Sequence, residues 1–142
     1  MTELDFKQKS HLHPDLLNPV AANLNDDKLL GRWINTNSET RGIAECTVTR
    51  DRDYGISVSI TGVGEDGPIH WPTAPATPLA NLEEEAGQRT MALTATFDLG
   101  FMRADTHLRI NKGVFVIVLF ATFLDGSGRA NYLNREFFYR HA

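Results

Sequence analysis

Tyr132, Asn134, Glu136 and Arg140 fall at even spacings near the end of the chain, so a strand there would put them on one face. Glu136 is the residue whose type suits acid–base chemistry. A carboxyl taken out of water among Phe and Leu side chains has a raised pKa and can move protons near neutrality. Tyr132 is a second proton-moving group at the right spacing, and Asn134 could orient a ligand carbonyl. The competing reading of Glu136 is an internal ion pair with Arg140 or Arg41, since buried charges are paired. In that reading Tyr132 and Asn134 merely satisfy each other. Arg103, Asp105, His107 and Arg109 also alternate, but the hairpin registers turn them outward, where mixed charge at every second residue is a solvated strand face. His11-Leu12-His13 has the spacing of two metal ligands without a third, so no metal site is expected. Cys46 is the only cysteine, which excludes an intrachain disulfide; apolar neighbours make it a small core residue. No phosphate-cradling glycine loop, Ser/His/Asp set or nucleophile elbow occurs, so no cofactor is expected.

The elements that must position these residues are strands. Residues 1–28 form an N-terminal segment, polar and irregular with Pro14 and Pro19, read as a loop or short helix. From Leu29 the hydrophobic period is two, and strands are expected at 29–36, 42–50, 54–63, 89–98, 101–110, 114–124 and 129–140. The stretch 64–88, rich in Gly and Pro, reads as a long loop of the kind that forms lids, with one short strand hidden within 78–83. Turns at Asp51-Arg52-Asp53, Leu99-Gly100, Lys112-Gly113 and Asp125–Gly128 then fix which residues share a face. They set Ala44, Cys46 and Val48 against Ile60, Val58 and Ile56, Phe97 against Met102, Ala95 against Ala104, and Ala104 against Ala121. All four hairpins give one apolar inner face, the condition for closing a sheet. The expected fold is all-β: a closed antiparallel up-and-down β-barrel of about eight strands over residues 29–142.

Gly31-Arg32-Trp33-Ile34-Asn35 on the first strand and Arg140 on the last resemble the calycins, the group of lipocalins, fatty-acid-binding proteins and avidins. The resemblance spans about residues 29 to 141 as a pattern. It implies that Trp33 plugs a closed end with Arg140 stacked on it, and that Asn35 stands where the avidin asparagine faces ligand. Trp33, Val48, Ile56, Met91, Leu108, Ile110, Phe115, Phe138 and Arg140 are bulky enough to fill one end. The other half offers only Ala44, Ala95, Ala104 and Ala121 at similar height, so either long neighbours such as Tyr132 and Phe123 fold in or a cavity opens. The expected ligand-binding set is Asn35, Ala44, Ala95, Phe97, Ala104, Thr106, Ala121, Phe123, Tyr132 and Asn134, with His70 and Trp71 on the lid. Trp71 would stack on a ligand or latch the barrel exterior.

The net charge of −4, with no Lys/Arg cluster to offset it, argues against nucleic acid as a partner. The start of the chain lacks an apolar leader, and Val114–Leu124 is too short to span a bilayer as a helix, so no membrane span and a cytoplasmic setting are expected. Val114, Val116, Val118, Phe120, Leu133, Phe137 and Tyr139 fall on the outer face, a stripe that a second subunit or the N-terminal segment would cover; a homodimer is expected. Two functions follow: a barrel that binds a small, mostly apolar molecule, or a cyclase or isomerase in which Glu136 or Tyr132 moves a proton in the same pocket.

Overall fold

The computed structural model describes residues 28–51, 55–80 and 90–142. The N-terminal segment with His11 and His13, the turn residues Arg52 and Asp53, the 81–83 end of the hidden strand and the Met91 side chain lie outside them. Nine strands form: β1 (Gly31–Asn35), β2 (Ile43–Arg50), β3 (Ile56–Gly64), β4 (Gly67–His70), β5 (Ala74–Ala80), β6 (Thr90–Asp98), β7 (Met102–Asn111), β8 (Val114–Phe123) and β9 (Tyr132–Arg140). Their order is β2-β1-β9-β8-β7-β6-β5-β3-β4, and β2 pairs with β3 to close the ring. Eight strands make a closed antiparallel barrel; β4 is a flap on the outer half of β3. Closure leaves no long unpaired edge.

The long loop expected at 64–88 is instead largely strand. β3 pairs through Ile56–Val58 with β5 and through Thr61–Gly64 with β4, so β4 and β5 are one line along β3. Trp71-Pro72-Thr73 breaks that line where three residues oppose Ser59 and Ile60. The alternation of β5 escapes a hydrophobicity reading because Ala74, Ala76 and Pro78 turn inward while Leu79 faces solvent. Its prolines fit because β5 has one ladder partner at a time, β3 over 74–76 and β6 over 77–80, leaving half its backbone donors unneeded.

The expected faces hold across the other hairpins, although two registers differ. Lys112 and Gly113 both take positive φ, 53° and 83°, a tight two-residue turn that pairs Ile110 with Phe115 and Ala104 with Ala121 as expected. Phe97 pairs with Ala104 rather than Met102, and Cys46 with Ile60 rather than Val58. Each is a slip of two residues, which preserves the face because side chains alternate with period two. Slips of one occur at two bulges, between Leu79 and Ala80 against β6 and between Ile43 and Glu45 against β3; the second changes the inner face. It buries Ile43 and leaves Ala44 half-buried, so Ile43 takes the inner position expected of Ala44.

At the closed end Trp33 stacks on Phe115, 4.4 Å between ring centres, and donates its indole N–H to Leu29 O at 3.0 Å. Phe138 meets Phe115 edge-on at 6.1 Å. The Arg140 guanidinium lies 4.4 Å over the Trp33 ring and donates to Leu30 O and, at 2.7 Å, to Lys28 O. One cation thereby holds the chain as it enters β1, and Gly31 is required beside it: its φ is 131°, and a Cβ there would strike the guanidinium.

Candidate functional site

The inner face of β9 carries Tyr132, Asn134 and Glu136 opposite Ala121, Leu119 and Ile117, as the sequence reading has it. What surrounds Glu136 is not an ion pair. Its carboxylate accepts Asn35 Nδ2 at 2.6 Å, the Ile43 backbone N–H at 2.9 Å, Asn134 Nδ2 at 3.1 Å and the Thr40 hydroxyl. Four neutral donors replace the cation expected from Arg140 or Arg41. Asn35 is equally occupied, giving its amide to Ile43 O at 2.8 Å and taking the Asn37 N–H at 2.8 Å. Asn35, Thr40, Asn134 and Glu136 thus clamp the β1–β2 loop onto β9. Gly42 is part of the clamp, since a Cβ there would fall on Glu136 Oε1.

Beside the clamp the barrel mouth opens into a recess of about 400 Å³. Ile43, Gly62, Val63 and Ile69 wall one side, and Leu99, Phe101, Met102, Leu119, Phe123 and Tyr132 the other. Arg41, Gly42, His70, Trp71, Pro72, Asp98 and Arg129 complete the lining. Trp71 is turned in by the break between β4 and β5. It packs edge-on against Phe97, 5.2 Å between ring centres, and against the core, so it is no exterior latch. Along the rim Tyr132, Phe123 and Phe101 form a chain of rings, with Arg129 stacked 4.2 Å over Phe123. Arg129 is itself held by Asp125 at 2.7 Å. Hydrogen bonds from Ser127, then Arg129, lower the Asp125 carboxyl to about 2.

Of the residues expected to hold a ligand, His70, Trp71, Phe123 and Tyr132 line this recess. Asn35, Asn134 and Glu136 form the clamp instead. Ala95, Ala104, Ala121, Phe97 and Thr106 are buried in the core beneath, where the Thr106 hydroxyl bonds Ala95 O at 2.7 Å. The alanine layer is therefore closed, not open: Phe97, Ile43, Ile60 and Leu119 are large buried side chains that fill the same interior. The space lies above it. Arg41, Ile43, Met102, Leu119 and Arg129 joined the recess without being read as ligand-facing. Arg41 and Arg129 lie in loops, where period-two patterning carries no information.

Arg103, Asp105, His107 and Arg109 face outward, with Arg103 and Asp105 paired at 3.2 Å. Partial burial, then Arg109, lowers the His107 pKa. Cys46 is fully buried, and burial, with Glu45 adding to it, raises its thiol pKa far above the range of a nucleophile. Among the described residues no three His, Cys, Asp or Glu side chains gather as a metal site, and no helix is long and apolar enough to cross a membrane.

The chain matches no protein-family model, no curated protein and no solved structure.

Proposed function

We propose that this chain is a small-molecule-binding β-barrel of calycin-like kind, holding a mostly apolar ligand in the mouth recess. One observation carries the reading: a recess of about 400 Å³, walled by aliphatic and aromatic side chains, sits above a filled core. That volume lies in the usual range for small-molecule sites, and an aromatic lining with a few polar groups is their usual chemistry. Trp71, Phe123 and Tyr132 supply flat apolar surface; the clamp around Glu136 keeps the mouth in shape. Mass spectrometry of the protein under native conditions tests this. A bound organic molecule, released on unfolding and absent when Leu119→Trp fills the recess, is expected. A ligand-free mass, with no binding from a panel of apolar small molecules, would overturn it.

A second reading, a cyclase or isomerase acting on a small hydrophobic substrate, is favoured by one feature. Tyr132 lines the recess, and its hydroxyl has no hydrogen-bond partner among the described residues. Glu136 supports that reading less, because its oxygens are occupied and it does not line the recess. Turnover of a candidate substrate, lost in Tyr132→Phe while binding persists, would select the enzyme.

A further inference from the structure

We infer that the recess takes an anionic amphiphile: a flat apolar body with an oxygen-bearing acid group directed at Arg41 and Trp71. The inference rests on the recess being a binding site, and it comes from accounting for each polar group in the lining. Asp98, the one carboxylate there, accepts the Gly100 N–H at 2.8 Å and so shapes the β6–β7 turn. His70 Nδ1 is 3.2 Å from the Thr61 hydroxyl. Arg129 is bonded to Asp125 and Ser127 and lies flat on Phe123. Besides His70 Nε2, which donates in one tautomer and accepts in the other, three groups are left without a hydrogen-bond partner among the described residues: the Arg41 guanidinium, the Trp71 indole N–H and the Tyr132 hydroxyl.

Arginine and indole can only donate, and the tyrosine hydroxyl can do so as well. A recess whose unspent groups are donors around an apolar wall is matched by a ligand that brings acceptors, best a charged one because of Arg41. Two structural details keep these donors available. Trp71 Nε1 lies beside Gly62, where a Cβ would stand only 3.0 Å away, so glycine at 62 leaves room next to the half-buried indole nitrogen. Arg41 sits on backbone fixed on both sides. Thr40 Oγ1, held by Glu136, takes the Gly42 N–H at 3.0 Å, and Gly42 O takes the Val63 N–H at 2.9 Å. A donor on a fixed loop loses little freedom on binding.

A matched pair of fluorescent probes tests the charge separately from the site. 1-Anilinonaphthalene-8-sulfonate and N-phenyl-1-naphthylamine share one ring body, and only the first carries an acid group. In titrations of the full chain, Arg41→Gln should weaken the sulfonate about tenfold, close to 1.4 kcal/mol. Binding of the neutral amine should stay within about twofold, and Arg41→Lys should recover part of the loss. Equal weakening of both probes, or of neither, overturns the anionic class while leaving the recess as a site. Sulfonate binding that survives Leu119→Trp, or Met102→Trp should the first not fold, lies elsewhere on the surface. That result removes the recess itself, and the proposed function with it.

Discussion

Glu136 shows how the meaning of a residue is decided by its partners. A carboxylate with four donors is satisfied without a cation, and each bond to a charged group contributes about 1.5–3 kcal/mol. Glu136→Gln turns an acceptor into a donor facing Asn35 Nδ2, Thr40 or the Ile43 N–H, whichever way the amide is placed. A loss of about 1–3 kcal/mol in urea unfolding is expected, with the barrel intact by circular dichroism. Gly42→Ala should be destabilising as well, because its Cβ meets the same oxygen. In a Glu136→Ala background that cost should largely vanish, so the double-mutant cycle should show coupling above about 0.5 kcal/mol; additive losses would place the clash elsewhere. His107 gives a pH prediction. Its folded pKa is below the ordinary 6.5, so below that pH the unfolded chain takes up the proton first. Stability is full above about 6.5 and declines as pH falls towards the folded pKa. His107→Gln should remove that decline, measured as unfolding free energy at pH 7.5 and 5.

At the scale of the elements, the described inward side chains are buried against one another from Trp33 at the closed end to the floor of the recess. Ala104 and Ala121 pair directly and are 0% and 2% exposed. Ala121→Phe therefore has no space to enter and should cost about 1–3 kcal/mol of strain, read as a fall in melting temperature; an unchanged or raised melting temperature would mean the layer is open after all. The closed end depends on Arg140 as a fork, joining Lys28 O and Leu30 O while covering Trp33. A lysine keeps the charge but neither the planar stack nor the two-carbonyl reach, so Arg140→Lys should lose about 1–2 kcal/mol. Both changes act within single strands, yet each is felt through cross-strand neighbours that the local sequence does not name.

For the whole molecule, closure hides the sheet edges but leaves the outer faces of β8 and β9 apolar. Phe120, Leu133, Phe137 and Tyr139 are exposed there, Leu133 to 62%, while Val116 is buried. A flat apolar face of this kind predicts self-association. Light scattering at micromolar concentration should give a dimer mass, reduced to a monomer by Leu133→Arg with Phe137→Arg; a monomer for the unaltered chain would reject the dimer.

The sequence by itself determined the barrel and its faces. Strand period is two and hairpin slips occurred in twos, so Phe97, Ala104, Leu108, Phe115 and Phe138 had to point inward whatever the register. Trp33 and Arg140 were legible as a pair only through the resemblance of the first and last strands to the calycins. The sequence did not show β4, which is exposed throughout, and caught only the 78–80 end of β5, whose inward residues are alanine and proline; nor did it show the Ile43 bulge, a one-residue slip that no hydrophobic count reveals. Only the tertiary structure decided where the space lies. Whether four alanines enclose a cavity depends on side chains from other strands, and Ile43, Ile60, Phe97 and Leu119 close it. The recess forms instead where three loops and a broken strand meet, bringing Arg41, Trp71 and Tyr132 to one mouth from distant parts of the chain. Local patterning encodes which way a side chain points; it does not encode what it meets there.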